Sequence, residues 1–196
     1  MFLNSFVPYG LNPVRMGGSG YYTGGVNLYR VPSTNTDDMA CGDPVVMTGE
    51  GDNRMVADVK LVAPGDTALT GVIVGARPET TRDQDRLILA GKERYVLVAD
   101  DPGIECLIRA NDVATPAMVG QNIDFAAGTP DPIYGTSGIL ADIATVGAAA
   151  TLPMKIVGIF DAPDNQLFDE AGTAIPNVLL KVRLNNSDFS GGKVGV

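Results

Sequence analysis

The chain has no histidine. That removes the commonest general base, the Ser-His and Cys-His nucleophile pairings, and the imidazole ligands of catalytic zinc. It has two cysteines, Cys41 and Cys106, too few for a Cys₄ zinc or iron–sulfur site. A long-range disulfide between them would need a fortuitous approach, and Cys106 reads as a small hydrophobe on an apolar strand face. Positive charge is scarce. Against 23 acidic residues stand 14 Lys and Arg, for a net charge of −9 with no basic run. Nucleic-acid binders normally carry a basic patch, so no nucleic-acid partner is expected. No stretch approaches the roughly 20 apolar residues of a membrane helix, so no membrane partner is expected either. The opening MFLNSFVPYGLNPVRM lacks a charged n-region and a continuous apolar core, so no signal peptide is expected.

What the chain does have is turns. Gly at 24 and Pro at 13 in 196 residues interrupt it too often for long helices, while 45% hydrophobic residues can build a core. Residues 94–109, RYVLVADDPGIECLIR, read as a central hairpin. In it Pro102 and Gly103 occupy the middle of a type II turn, and Gly103 takes a positive φ. Tyr95 to Val98 reads as apolar on both faces. Beyond the turn, Ile104, Cys106 and Ile108 oppose Glu105, Leu107 and Arg109. Further strands are expected at 27–31, 45–47, 56–62, 69–76, 154–160 and 178–184, with turns at 42–44, 49–53 and 64–66. Ile139, Ile143 and Val146 fall at helical spacing between Ser137 and Gly147, so 113–150 accommodates one helix or a long loop. The expectation is an all-β fold: an antiparallel sandwich or barrel, jelly-roll-like, with long loops. It divides into an extended glycine- and aromatic-rich arm at 1–25, one β domain at 26–190 and a loose tail at 191–196.

The candidate chemistry is thin. Gly91-Lys92 lacks the upstream glycine of a phosphate loop, and Gly17-Gly18-Ser19-Gly20 has no base to activate its serine. Asp161, Asp164, Asn165, Asp169 and Glu170 crowd one loop, but not at EF-hand spacing, and read as a solvated turn. Asp100 and Asp101 are adjacent at a strand end, point apart, and read as turn residues. No catalytic residue, cofactor or metal site is therefore expected. Phe2, Phe6, Tyr9, Tyr21 and Tyr22 flank the N-terminal glycines. They either cover the chain's own core or order against a neighbouring subunit. Arg77, Arg82 and Arg86, with Glu79, Asp83 and Asp85, form a charged loop of the kind that supplies interface rims.

Three segments in order, VNLYRVPS at 26–33, CGDPVVM at 41–47 and RYVLVADDPGIECLI at 94–108, carry a resemblance. LTGVIVGARPE lies between the last two, and LPMKIVGIFDAPDNQL follows. Together they resemble virion structural proteins of tailed bacteriophages, in particular head decoration (cement) proteins, over most of residues 26–190. The resemblance implies a non-enzymatic protein made in the host cytoplasm. It would bind the major capsid protein lattice on the outer head surface as a homotrimer and stabilise the shell. Under it, Phe2, Phe6, Tyr9, Tyr21 and Tyr22 would be buried anchors, and Arg77, Arg82 and Arg86 charge partners, in subunit or capsid contacts. Two alternatives stand beside it. One is a carbohydrate- or receptor-binding β module of a phage tail or surface appendage; the other is a hydrolase using carboxylates alone.

Overall fold

The computed structural model describes residues 8–17, 20–78, 85–192 and 195. Phe2, Phe6 and Arg82, and the first part of the expected arm, lie outside them. The described chain is all β, with one short 3₁₀ turn at Pro116–Met118. Five strands close a small barrel: β2 (Asn27–Val31), β3 (Pro44–Gly51), β4 (Ala57–Leu61), β5 (Gly71–Ala76) and β6 (Arg94–Ala99), in the order β2-β4-β3-β5-β6. Six strands form an antiparallel sheet: β1 (Asn12–Arg15), β7 (Glu105–Arg109), β8 (Asn122–Ala126), β9 (Leu140–Gly147), β10 (Met154–Ile159) and β11 (Leu179–Leu184). Their order is β1-β7-β11-β10-β8-β9.

Residues 94–109 are not a hairpin. β6 pairs with β2 and β5, whereas β7 pairs with β1 and β11. The turn between them carries the chain out of the barrel and into the sheet. It is closed by the Ile104 N–H on the Asp101 carbonyl at 3.0 Å and by the Gly103 N–H on Asp101 Oδ1 at 2.7 Å. Gly103 does not take a positive φ, so the turn is not type II. Its glycine serves a different need: a Cβ there would sit 2.7 Å from the Cα of Gly17, where the N-terminal segment crosses. Nor is β6 apolar on both buried faces. Val96 and Val98 point into the barrel while Leu97 is 36% exposed, so the strand alternates as a barrel wall must.

Burial follows the same division. Tyr29, Val31, Met39, Val45, Val59, Ile73, Ile88, Val96 and Val98 fill the barrel. A second cluster joins the barrel's end, through Val62, Leu69, Val72 and Ala99, to the sheet face. That face carries Ile104, Cys106, Ile108, Phe125, Met154, Ile156 and Val182. Both cysteines are free thiols, and burial pushes the Cys106 thiol well above its ordinary value.

The helical spacing at 139–146 has a different origin. β9 is a strand whose register slips: Asn122 pairs with Gly147 and Asp124 with Asp142. The extra β9 residues form a bulge, and the change of parity lets Ile143 and Val146 both pack on the core. Thr145 fills the gap in the ladder, its hydroxyl accepting from the Asp124 N–H at 2.9 Å and donating to the Asp142 carbonyl at 2.7 Å. β1 and β8 lie in segments read from sequence as arm and loop. β1 is a sheet edge. Across it the Tyr22 N–H donates to the Val14 carbonyl at 3.0 Å, so residues 20–22 cover that edge.

The barrel's seam is narrow. β2 and β4 run parallel and meet at a single residue pair, Arg30 with Asp58. There the guanidinium grips the carboxylate through two bonds, Nε to Oδ1 at 2.6 Å and Nη2 to Oδ2 at 2.7 Å. The Asp58 side chain is 2% exposed and that of Arg30 is 19% exposed. Arg30→Ala would leave a buried carboxylate without its partner, a loss on the order of 3–5 kcal/mol. Urea unfolding should therefore show a stability drop of that size. A drop below about 1 kcal/mol would mean that closure does not depend on this pair.

Asp43 is a second buried carboxylate, 2% exposed, and it accepts the Ala40 N–H at 2.7 Å. Burial pushes it up to about 6, against hydrogen bonds from Ser137 and the Ala40 N–H that favour the charged form. A carboxyl whose folded value lies above its unfolded value stabilises the fold most at low pH. Its contribution is lost as pH rises from about 4 to about 6, by an amount on the order of 2–3 kcal/mol. Asp43→Asn keeps the shape and removes the titration. The stability difference between variant and wild type should therefore grow in the variant's favour over that interval; a constant difference would contradict the assignment.

Candidate contact surfaces

The described residues hold their polar groups mostly in structural roles. Asp100 accepts from the Tyr29 hydroxyl at 2.7 Å and from Asn27 Nδ2 at 2.9 Å, while Asp101 is spent on its own turn. Asn165 is a backbone clamp. Its Nδ2 donates to the Phe160 and Leu179 carbonyls at 2.7 and 3.0 Å, and its Oδ1 accepts the Leu179 N–H at 2.7 Å. Asp169 accepts from the N–H groups of Ala171 and Thr173, at 2.9 and 2.7 Å. Among the described residues no group of three or more His, Cys, Asp or Glu side chains is placed to hold a metal ion. What stands out instead is the display of large apolar side chains on tightly held turns.

The first such turn links β3 to β4. Asp52 Oδ1 accepts the N–H groups of Arg54 and Val56 at 2.8 and 2.9 Å, and the Met55 N–H donates to the Asp52 carbonyl at 3.0 Å. The Tyr95 hydroxyl donates to Asp52 Oδ2 at 2.6 Å, and the Arg54 guanidinium stacks 4.7 Å above the Tyr95 ring. The Tyr95 hydroxyl first, then the Val56 and Arg54 N–H groups, hold the Asp52 carboxyl well below the usual carboxylate range. The turn thus locks onto the outer wall of β6. At its tip Met55 adopts φ +59°, a left-handed conformation uncommon for a residue with a Cβ, and its side chain is 95% exposed. Beside it Arg54, Arg77, Pro78, Glu93 and Tyr95 line a cleft of about 330 Å³.

The second turn is Asp131 to Thr136. The Asp131 N–H donates to the Thr136 carbonyl and the Gly135 N–H to the Asp131 carbonyl, both at 2.8 Å. Asp131 Oδ1 accepts from the N–H groups of Ile133 and Tyr134 at 2.7 and 3.1 Å. Gly135 sits at φ +68°, where an added Cβ would meet Arg86 Cβ at 2.9 Å, and the Arg86 guanidinium donates to the Ile133 carbonyl. The result is a small rigid knob carrying Ile133 at 68% and Tyr134 at 71% exposure. A third feature is an open groove of about 650 Å³ at 159–168, lined by Ile159, Asp161, Pro163, Leu167 and Phe168 among others.

Of the residues singled out in the sequence, the described ones do not converge on one place. Tyr9 is half-buried, and burial raises its hydroxyl's value against the pull of Arg109. Tyr22 packs on the sheet core, and its hydroxyl donates to the Gly25 carbonyl at 3.3 Å. Tyr21 is bare at the covered edge of β1. Arg77 lines the cleft beside the Met55 turn, and Arg86 braces the knob. Met55, Ile133 and Tyr134 were not singled out. The signal for the knob is Asp-Pro-Ile-Tyr-Gly itself, an Asp-Pro turn with two large apolar residues between proline and glycine. Comparisons with protein-family models, curated proteins and solved structures find no match to this chain.

Asp131→Ala removes the acceptor shared by two tip amides. The Ile133 and Tyr134 amides should then exchange with solvent faster by about tenfold, with a global loss on the order of 1 kcal/mol. Unchanged exchange at both would show that the carboxylate does not hold the knob.

Proposed function

We propose that the chain is a non-enzymatic structural protein of a tailed-bacteriophage virion, one that binds the assembled capsid surface and stabilises the shell. The resemblance over residues 26–190 supplies the identity of the partner. The observation that carries the binding role is the Met55 turn: a fully bare, unbranched apolar side chain held in a left-handed conformation by Asp52, flanked by Arg54 and Arg77. Methionine adapts to irregular apolar surfaces, and a turn fixed before contact loses little entropy on binding. Arginines around an apolar tip add directional contacts at the rim.

Under this reading Met55 inserts into an apolar depression of the lattice and Arg77 pairs with a lattice carboxylate. Each contact is modest. The effect on the shell comes from repetition over symmetric sites, and from binding the assembled lattice in preference to free subunits. A homotrimer at local threefold positions, as the resemblance implies, would place three such turns against the lattice together. Purified protein mixed with undecorated heads should co-sediment to saturation, and the heads should then withstand a higher temperature. Met55→Asp with Arg77→Ala should lower head affinity by about tenfold or more while leaving the fold intact. Failure of the wild type to sediment with heads would overturn the reading, and retention on a glycan surface would favour a carbohydrate-binding module instead.

A further inference from the structure

The outer face of the six-stranded sheet is basic, although the chain as a whole carries a net charge of −9. Cys106, Ile108, Met154, Ile156, Leu180 and Val182 pack on the core, so the residues alternating with them point outward. Those residues include Glu105 and Arg109 on β7, Lys181 and Arg183 on β11, and Lys155 on β10. Arg15 on β1 joins them as the backbone partner of Glu105. Five cations thus share this face with one carboxylate, whereas the whole chain has 14 Lys and Arg against 23 acidic residues. No run of sequence carries the cluster; strand register assembles it. Lys155 pairs with Arg183, Arg183 with Glu105, and Glu105 with Arg15, which makes one row across four strands. Lys181 lies two residues along from Arg183, paired with Gly158.

The row is anchored at its centre. Glu105, with a side chain 5% exposed, accepts from Arg183 Nε at 2.9 Å and from Arg183 Nη2, and Arg15 Nη1 lies 3.8 Å from its other oxygen. One carboxylate therefore positions two guanidiniums, yet the Arg15 and Arg183 side chains remain 49% and 48% exposed. A guanidinium has five N–H donors, so both keep donors that Glu105 does not take. Among the described residues Lys181 has no carboxylate partner, and Arg109 donates to the Asn177 carbonyl.

We infer that this face binds an extended acidic segment of another protein, laid across β10, β11, β7 and β1 with its carboxylates against Lys155, Arg183, Lys181 and Arg15. Guanidinium forks match carboxylates in geometry as well as in charge. Four strands about 4.8 Å apart make a row roughly 14 Å long, which about four extended residues span. A nucleic-acid duplex is the poorer occupant, because its phosphates would meet Glu105 in the row and an acidic chain beyond it. The contact is weak by itself and screened by salt. It is separate from the Met55 turn and does not rest on the capsid reading.

Fluorescence anisotropy of a labelled hexaglutamate peptide, titrated with the full chain in the absence of heads, tests the inference. The peptide should bind with a dissociation constant of about 0.1–1 mM at about 50 mM salt and be released at about 0.5 M salt. Arg15→Gln with Lys181→Gln should weaken binding by about fivefold or more. Lys60→Gln with Lys92→Gln removes the same charge from exposed positions elsewhere, and should leave binding within about twofold. Both variants should match the wild type in circular dichroism. A peptide that does not bind at low salt, equal weakening by the two variants, or tighter binding of a DNA duplex of matched charge would each overturn the inference. So would a lower sedimenting mass for the Arg15→Gln, Lys181→Gln variant, which would put a second copy of this chain on the face.

Discussion

The parallel seam of the barrel is braced by one ion pair. β2 and β4 share a single parallel backbone pair, and the Arg30–Asp58 grip lies at that position. A five-stranded sheet left open there would expose two strand edges and unseal the apolar interior. Because Asp58 is almost fully covered, its charge is tolerable only while the guanidinium is present. On its other side β2 pairs with β6 from Asn27 to Val31, and β6 is the strand that hands the chain to the sheet. The barrel wall also supports Tyr95, which anchors Asp52 and through it the Met55 turn. Seam, crossing and display turn thus all adjoin β2 and β6.

Alternation and turn chemistry made much of this legible in the sequence. The strands at Asn27–Val31, Ala57–Leu61 and Leu179–Leu184 follow from period-2 patterning, and those at Gly71–Ala76 and Met154–Ile159 from short apolar runs between turn residues. Topology was less accessible. An Asp-Pro-Gly turn between two apolar runs specifies a reversal of direction, not that its flanks pair with each other, and here the flanks join different sheets. The bulge in β9 imitates a helical period because it reverses strand parity between Ile143 and Val146, and only the β8 partner reveals this. Gly103 is a glycine for a long-range reason, the crossing of Gly17, which no local pattern encodes.

The display residues were hidden for a related reason. Exposed apolar side chains are common, and a lone Met or Tyr in a loop carries no signal by itself. What distinguishes Met55, Ile133 and Tyr134 is that carboxylates fix their turns through backbone amides. The charged loop that drew attention in the sequence begins at Arg77, which lines the cleft beside the Met55 turn. Among the described residues Asp52, Asp131 and Asp169 brace turns and Asn165 clamps a loop.

Under the proposed function a rigid barrel presents the Met55 turn to a capsid lattice. Amide hydrogen exchange, read on the protein free and bound to phage heads, should then slow at residues 54–56 and at Arg77, with the barrel strands unchanged. Bound protein whose protection falls elsewhere, with the Met55 turn exchanging as it does in solution, would contradict it.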